Sequence, residues 1–167
     1  MTDVAPPTIE GYPPEYTVAM AGQMGPFNDH LGMRLTYVSP DRLEATMVCD
    51  QRHHQPMGIV HGGVWCSMIE TLASMAGAFR AAADGNVVVG VNNSTDFLRA
   101  HRTGPVTAVA TPIHVGRLQH LWVVDITRDE DGKSVARGQV RVQVLPMDRE
   151  LAGKVAHDPA SSAQEQS

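Results

Sequence analysis

The chain has 167 residues, 43% of them apolar, which is enough to bury one sizeable core and about the size of a single domain. A formal net charge of -5 and an isoelectric point near 5.8 exclude a broad basic footprint for nucleic acid and leave room only for local basic contacts. The two cysteines, Cys49 and Cys66, lack the spacing of a disulfide framework or a zinc knuckle and read as buried, reduced thiols.

Residues 1–16 are rich in proline and small side chains and are expected to form a disordered N-terminal segment. They carry Asp3 and Glu10 rather than a basic stretch followed by an apolar one, so no secretion signal is expected. Residues 17–32 give a weak helical pattern broken at Gly25-Pro26. Met33, Leu35 and Tyr37 alternate with Arg34 and Thr36. After the turn at Ser39-Pro40-Asp41, Leu43, Ala45, Met47 and Cys49 alternate again, which predicts a strand hairpin.

From Gly62 to Ala83 the period changes: Trp65, Met68, Leu72, Met75 and Phe79 recur at spacings of three and four, as on a long helix with one apolar stripe. Four strands are then predicted at 87–98, 105–115, 119–127 and 133–145, separated by turn residues at Arg102–Pro105, Gly116 and Asp129–Gly132. Pro112 cannot donate to a ladder, so it marks a bulge or an edge. The last strand alternates Arg137, Gln139, Arg141 and Gln143 with Gly138, Val140, Val142 and Val144, giving one wet face and one dry face.

The turns between the late strands are too short for crossover helices. The expected class is therefore α+β: an antiparallel sheet wrapped around a long central helix, spanning residues 17–146. Residues 147–167 have few large apolar side chains and are expected to be a disordered C-terminal tail. No stretch approaches 18 uncharged apolar residues, and a cytoplasmic location is expected.

The helix holds the most informative residues. Gly63, Ser67, Glu70, Ser74 and Gly77 fall roughly opposite the apolar stripe, and Glu70 is the only charged residue between Gly62 and Phe79. An ordinary surface helix would carry several charges there. A lone carboxylate among small residues instead suggests a buried helix approached by a ligand or another chain. Before the helix stands His53-His54-Gln55-Pro56-Met57-Gly58-Ile59-Val60-His61-Gly62-Gly63. Free N–H groups at a helix start make an anion site suited to a developing oxyanion, and Glu70 follows about two turns later. Gln55 can donate or accept, and could fix a carbonyl or a water. For His61 a loop-shaping hydrogen bond and a direct role both stay open. His53 and His54 read as a solvent-exposed pair, and no metal site is expected without carboxylate or cysteine at ligand spacing.

The run Gln55, His61-Gly62-Gly63 and Glu70 resembles the signature of hot-dog fold acyl-CoA thioesterases of the phenylacetate-pathway and second 4-hydroxybenzoyl-CoA types. Thr95–Arg99, Gly104-Pro105, Gly116-Arg117 and Asp131–Ala136 extend the resemblance over roughly residues 30–146. It implies hydrolysis of an acyl-CoA thioester, with Glu70 as nucleophile or general base and the Gly62 N–H polarising the carbonyl. Gln55 would orient substrate or water, and Ser74 would hold the water or the carboxylate. It further implies a site between protomers of a homodimer or homotetramer, with no metal or redox cofactor. CoA phosphates need arginine, and Arg99, Gly116 and Arg117 match positions near the nucleotide groove, with Arg149 a weaker match. A hot-dog hydratase or dehydratase is one alternative, although such sites open their helix with Pro-Gly rather than His-Gly-Gly. A non-catalytic acyl-CoA sensor is another.

Overall fold

The structure is a computed structural model and describes residues 6–12, 24–151 and 154–155. One long helix, α2 (Gly62–Ala82), lies against a seven-stranded sheet. The sheet strands are β1 (Thr8–Ile9), β2 (Arg34–Ser39), β3 (Arg42–Cys49), β4 (Asn86–Phe97), β5 (Gly104–Val115), β6 (Gln119–Arg128) and β7 (Ser134–Pro146), in the order β1-β2-β3-β5-β6-β7-β4. Every pair is antiparallel except β1 with β2, so β1 and β4 form the two edges. The class is α+β, as the strand and helix periods predict.

The core lies between α2 and the inward face of the sheet. Trp65, Met68, Ile69, Leu72, Ala73, Ala76 and Phe79 of α2 are buried against Leu43, Ala45 and Met47 of β3, Val106, Ala108 and Ala110 of β5, Trp122, Val124 and Ile126 of β6, and Val140 and Val142 of β7. Alternate residues point inward because side chains reverse face at each step along a strand. The alanines Ala45 and Ala108, paired across β3 and β5, leave room for the bulkier side chains of α2. The ladder between β5 and β6 slips between Pro112 and His114, so the proline marks a bulge, one of the two alternatives expected.

The described residues add local detail to these expectations. Within the segment expected to be disordered, Thr8–Ile9 pairs in parallel with Tyr37–Val38, and Glu10 accepts a hydrogen bond from the Tyr37 hydroxyl. Within the expected tail, β8 (Glu150–Leu151) pairs with β9 (Lys154–Val155). Of the weak helical segment only α1 (Pro26–Leu31) is helical among the described residues, and 13–23 lie outside them. Pro26 begins α1 because its missing N–H is not needed there, and Gly25 before it takes a φ of 81°. No helix among the described residues is long and apolar enough to cross a membrane.

Candidate active site

The loop entering α2 is held mainly by side chains that bond to the main chain. Asp50 caps a short 3-10 turn at Gln51–His53, and hydrogen bonds from Arg52 hold its carboxyl down to about 2. His53 is not exposed as the sequence suggested. It is 2% exposed; Nδ1 accepts from the Asp50 N–H at 3.0 Å and Nε2 lies 2.9 Å from the Leu31 carbonyl, so its polar edges are satisfied inside the core. His54 is half-buried, its Nε2 2.7 Å from the Arg102 carbonyl. Beyond it the chain doubles back through Gly58, at a φ of 74°, to a bridge between His54 and Val60. Gln55 sits in that turn, and its side-chain oxygen accepts from the Met57 N–H.

His61 is the N-cap of α2. Its Nδ1 accepts the Gly63 N–H at 2.8 Å, a Cβ on residue 63 would lie 2.9 Å from that nitrogen, and its own N–H donates to the His53 carbonyl. The structure places His61 in the loop-shaping arrangement. Gly62 is the first helical residue, so its N–H has no acceptor within the helix. The Phe97 ring stands over it, with two ring atoms 2.7 Å from the position a Cβ would take.

Glu70 is half-buried and faces β4. Oε1 accepts from the Ser74 hydroxyl at 3.0 Å, and Oε2 from the Asn93 side-chain nitrogen at 2.9 Å. The same nitrogen is 3.2 Å from the Cys66 carbonyl, and the Thr95 hydroxyl donates to Asn93 Oδ1 at 2.7 Å. A cleft of about 500 Å³ opens here, lined by Phe27, Cys66, Ser67, Glu70, Thr71 and Asn93. Thr71 donates to Asn28 Oδ1 at 2.9 Å and so ties α1 to the rim. Of the two thiols, only Cys49 is buried, where desolvation pushes it up to about 12; Cys66 is half-buried on the cleft wall.

The structure therefore brings Glu70 and Ser74 together but leaves Gly62, His61 and Gln55 apart from them within one chain. Eight residues of helix separate Gly62 from Glu70, about 12 Å along the axis. The carboxylate is bonded to Ser74, one turn further from Gly62. Gly77 also departs from the small polar face to which its position assigned it. It is buried against β7, and a Cβ there would lie 2.9 Å from Val142. Arg99 donates to the Ser134 carbonyl at one end of the sheet, while Gly116 closes the β5–β6 turn by donating to Gln119 at the other, with Arg117 beside it. Leu98 bonds to Val135 and Leu118 to Val144, so the two arginines are separated by about nine residues of β7, or roughly 30 Å. They cannot meet one phosphate in one protomer. Asn93 and Thr95 were not foreseen, although two adjacent asparagines inside a valine-rich strand run against strand preference and were the available signal.

The model of the Thioesterase superfamily matches residues 57–135. The chain is 49% identical over 123 residues to Rv1847 of Mycobacterium tuberculosis, a candidate esterase, covering 72% of this chain and 86% of that one. It is 38% identical over 125 residues to the proofreading thioesterase EntH of Cronobacter turicensis, covering 75% and 90%. The structure of thioesterase HI1161 from Haemophilus influenzae superposes with a TM-score of 0.69 at 36% identity, covering 74% of this chain and 85% of the other. The chain belongs to the Thioesterase superfamily, its fold is the hot-dog fold, and it is a thioester hydrolase.

Proposed function

We propose that the chain hydrolyses acyl-CoA thioesters to the free acid and CoA, in a site shared by two protomers and without a resident cofactor. The observation that carries this reading is Glu70: the only charged side chain between Gly62 and Phe79 is held in a cleft by Ser74 and Asn93. The thioester carbonyl accepts from the Gly62 N–H, which offsets the charge that develops on its oxygen. In the nucleophilic route a Glu70 oxygen attacks the carbonyl carbon, the C–S bond breaks, and water then hydrolyses the mixed anhydride. In the general-base route Glu70 takes the proton of a water as it attacks the carbonyl carbon, the C–S bond breaks, and the departing CoA sulfur takes that proton and leaves as the thiol. Gln55 orients the carbonyl or water, and His61 holds the loop that presents the amide.

Two protomers are needed because one chain keeps Gly62 and Glu70 about 12 Å apart. Along β4, Asn93 stands at Glu70 and Phe97 stands at Gly62, four residues or roughly 13 Å from each other. A twofold axis at Thr95, with the free edge of β4 paired to its own copy, sets Asn93 beside Phe97 of the other protomer and faces Glu70 with the other protomer's Gly62. The same axis brings Arg117 to within about 20 Å of the other protomer's Arg99, a span that suits one extended nucleotide.

Thiol release from a panel of aryl, short-chain and long-chain CoA esters tests the reading. Glu70→Ala is expected to lose about a hundredfold or more in turnover, and retained activity would remove Glu70 from its role. Single turnover in oxygen-18 water separates the routes, since only the nucleophilic one labels the Glu70 carboxylate.

A further inference from the structure

We propose that Asn93 is a positioning residue for Glu70, presented by a bulge in β4 and braced by Thr95. The inference rests on Glu70 being the reacting carboxylate. A glutamate side chain in an open cleft samples several rotamers, only some of which aim an oxygen at a bound carbonyl or water. Ser74 holds one of its oxygens and Asn93 the other, from opposite elements of the fold.

The strand is shaped for this contact. A Cβ at Gly90 would lie 2.5 Å from Glu70 Oε1, so Gly90 faces the carboxylate and its missing side chain makes the seat. Asn93 is three residues on, and three steps along a regular strand would point it the opposite way. The ladder with β7 slips by one residue between Gly90 and Asn92, and that extra residue returns Asn93 to the face of Gly90. Val91, in the bulge, is left 50% exposed.

The amide is then fixed by its other bonds. The Cys66 carbonyl and Glu70 Oε2 can only accept, so Nδ2 must be the atom turned toward α2, and the Thr95 hydroxyl donates to the Oδ1 left on the other side. Gly138 completes the arrangement, because a Cβ on it would lie 2.7 Å from the Thr95 hydroxyl. Gly138, Thr95, Asn93 and Glu70 thus form a line of support running from β7 to the carboxylate.

The test measures kcat, KM and thermal midpoint by thiol release and unfolding for the full chain and for Asn93→Ala, Asn93→Asp and Thr95→Val, with Glu70→Ala alongside. Asn93→Ala is expected to lower kcat about tenfold, with KM within about twofold, because the bond aims the carboxylate rather than binds substrate. Asn93→Asp keeps the shape but replaces the donor by a like charge, so it is expected to lower kcat further. Thr95→Val, which removes the brace on Oδ1, is expected to give a smaller fall. A merely structural role would instead rank the three by thermal midpoint and make the isosteric Asp the mildest at residue 93. Full kcat in Asn93→Ala, or an Asp variant as active as the Ala one, overturns the proposal. Should Asn93→Ala not fold, Asn93→Asp falling below Thr95→Val in kcat supports it and the reverse order overturns it. Activity retained in Glu70→Ala defeats the underlying assignment whatever Asn93 does, whereas an inactive Glu70→Ala beside a fully active Asn93→Ala defeats this inference alone.

Discussion

A side chain added at Gly62 would meet the outer atoms of the Phe97 ring, and that ring is 58% exposed, so it can swing aside. Alanine also suits a helix better than glycine by about 0.5–1 kcal/mol. Gly62→Ala should therefore move the thermal midpoint by less than about 4 °C. Its effect on catalysis should be larger, since the new methyl and the displaced ring crowd the first free amide of α2, and thiol release is expected to fall at least about tenfold. A variant that keeps both midpoint and turnover would show that this amide does not hold the carbonyl. At this scale the sequence was partly legible. Glu70 stood out because an uncharged helix isolated it. His53 did not, because a histidine satisfied inside the core and one in solvent look alike until Leu31 and Asp50 are seen folding over it. Asn93 was hidden for a different reason: its direction depends on the bulge at Gly90, and period-two reading assumes that no residue is extra.

The long helix and the six strands from Arg34 to Pro146 were legible almost to the residue, since the apolar period switches sharply from two to 3.6 at Gly62 and back at Asn86, whereas the two-residue strands β1, β8 and β9 are too short to carry a period. Less legible was which face of α2 each end presents. Ser67, Glu70 and Ser74 keep the open side that a helical wheel gives them, but Gly77, on the same side of the wheel, is buried against the sheet. A helix of 21 residues crosses about 31 Å, and a twisted sheet turns beneath it over that length, so one azimuth cannot face the same surroundings at both ends. Val142 is fully buried and β-branched, with little freedom to yield. Gly77→Leu is accordingly expected to cost about 2 kcal/mol net of improved helix propensity, read as a lower urea midpoint. A midpoint unchanged from wild type would mean that α2 does not press on β7 at this turn.

For the molecule as a whole, the edge of β4, which no strand among the described residues pairs, poses the main question. Exposed edge strands invite pairing, and proteins that stay monomeric guard them with lysine, proline or a cover. β4 has twelve residues, no lysine and no proline, and Asp96 is its one charge; Val91 and Phe97 along it, and Leu98 just beyond, are about half exposed. Its bulge serves the carboxylate, and the rest of the edge is open to a second copy. With the axis at Thr95, Ser94 of each protomer lies beside Asp96 of the other, and symmetry produces the pair twice. Ser94 is exposed, so a charge there is tolerated by the single chain. Ser94→Asp sets like charges directly opposite each other and should weaken the dimer, whereas Ser94→Lys sets opposite charges there and should preserve it. Sedimentation at micromolar concentration is expected to give at least twice the 18.0 kDa chain mass for wild type and for the lysine variant. The aspartate variant should dissociate at higher concentration and regain thiol release as protein is added, because each site of the proposed dimer takes Gly62 from one protomer and Glu70 from the other. If aspartate and lysine behave alike, the axis lies elsewhere on β4. If wild type is a fully active monomer, the shared site itself is excluded.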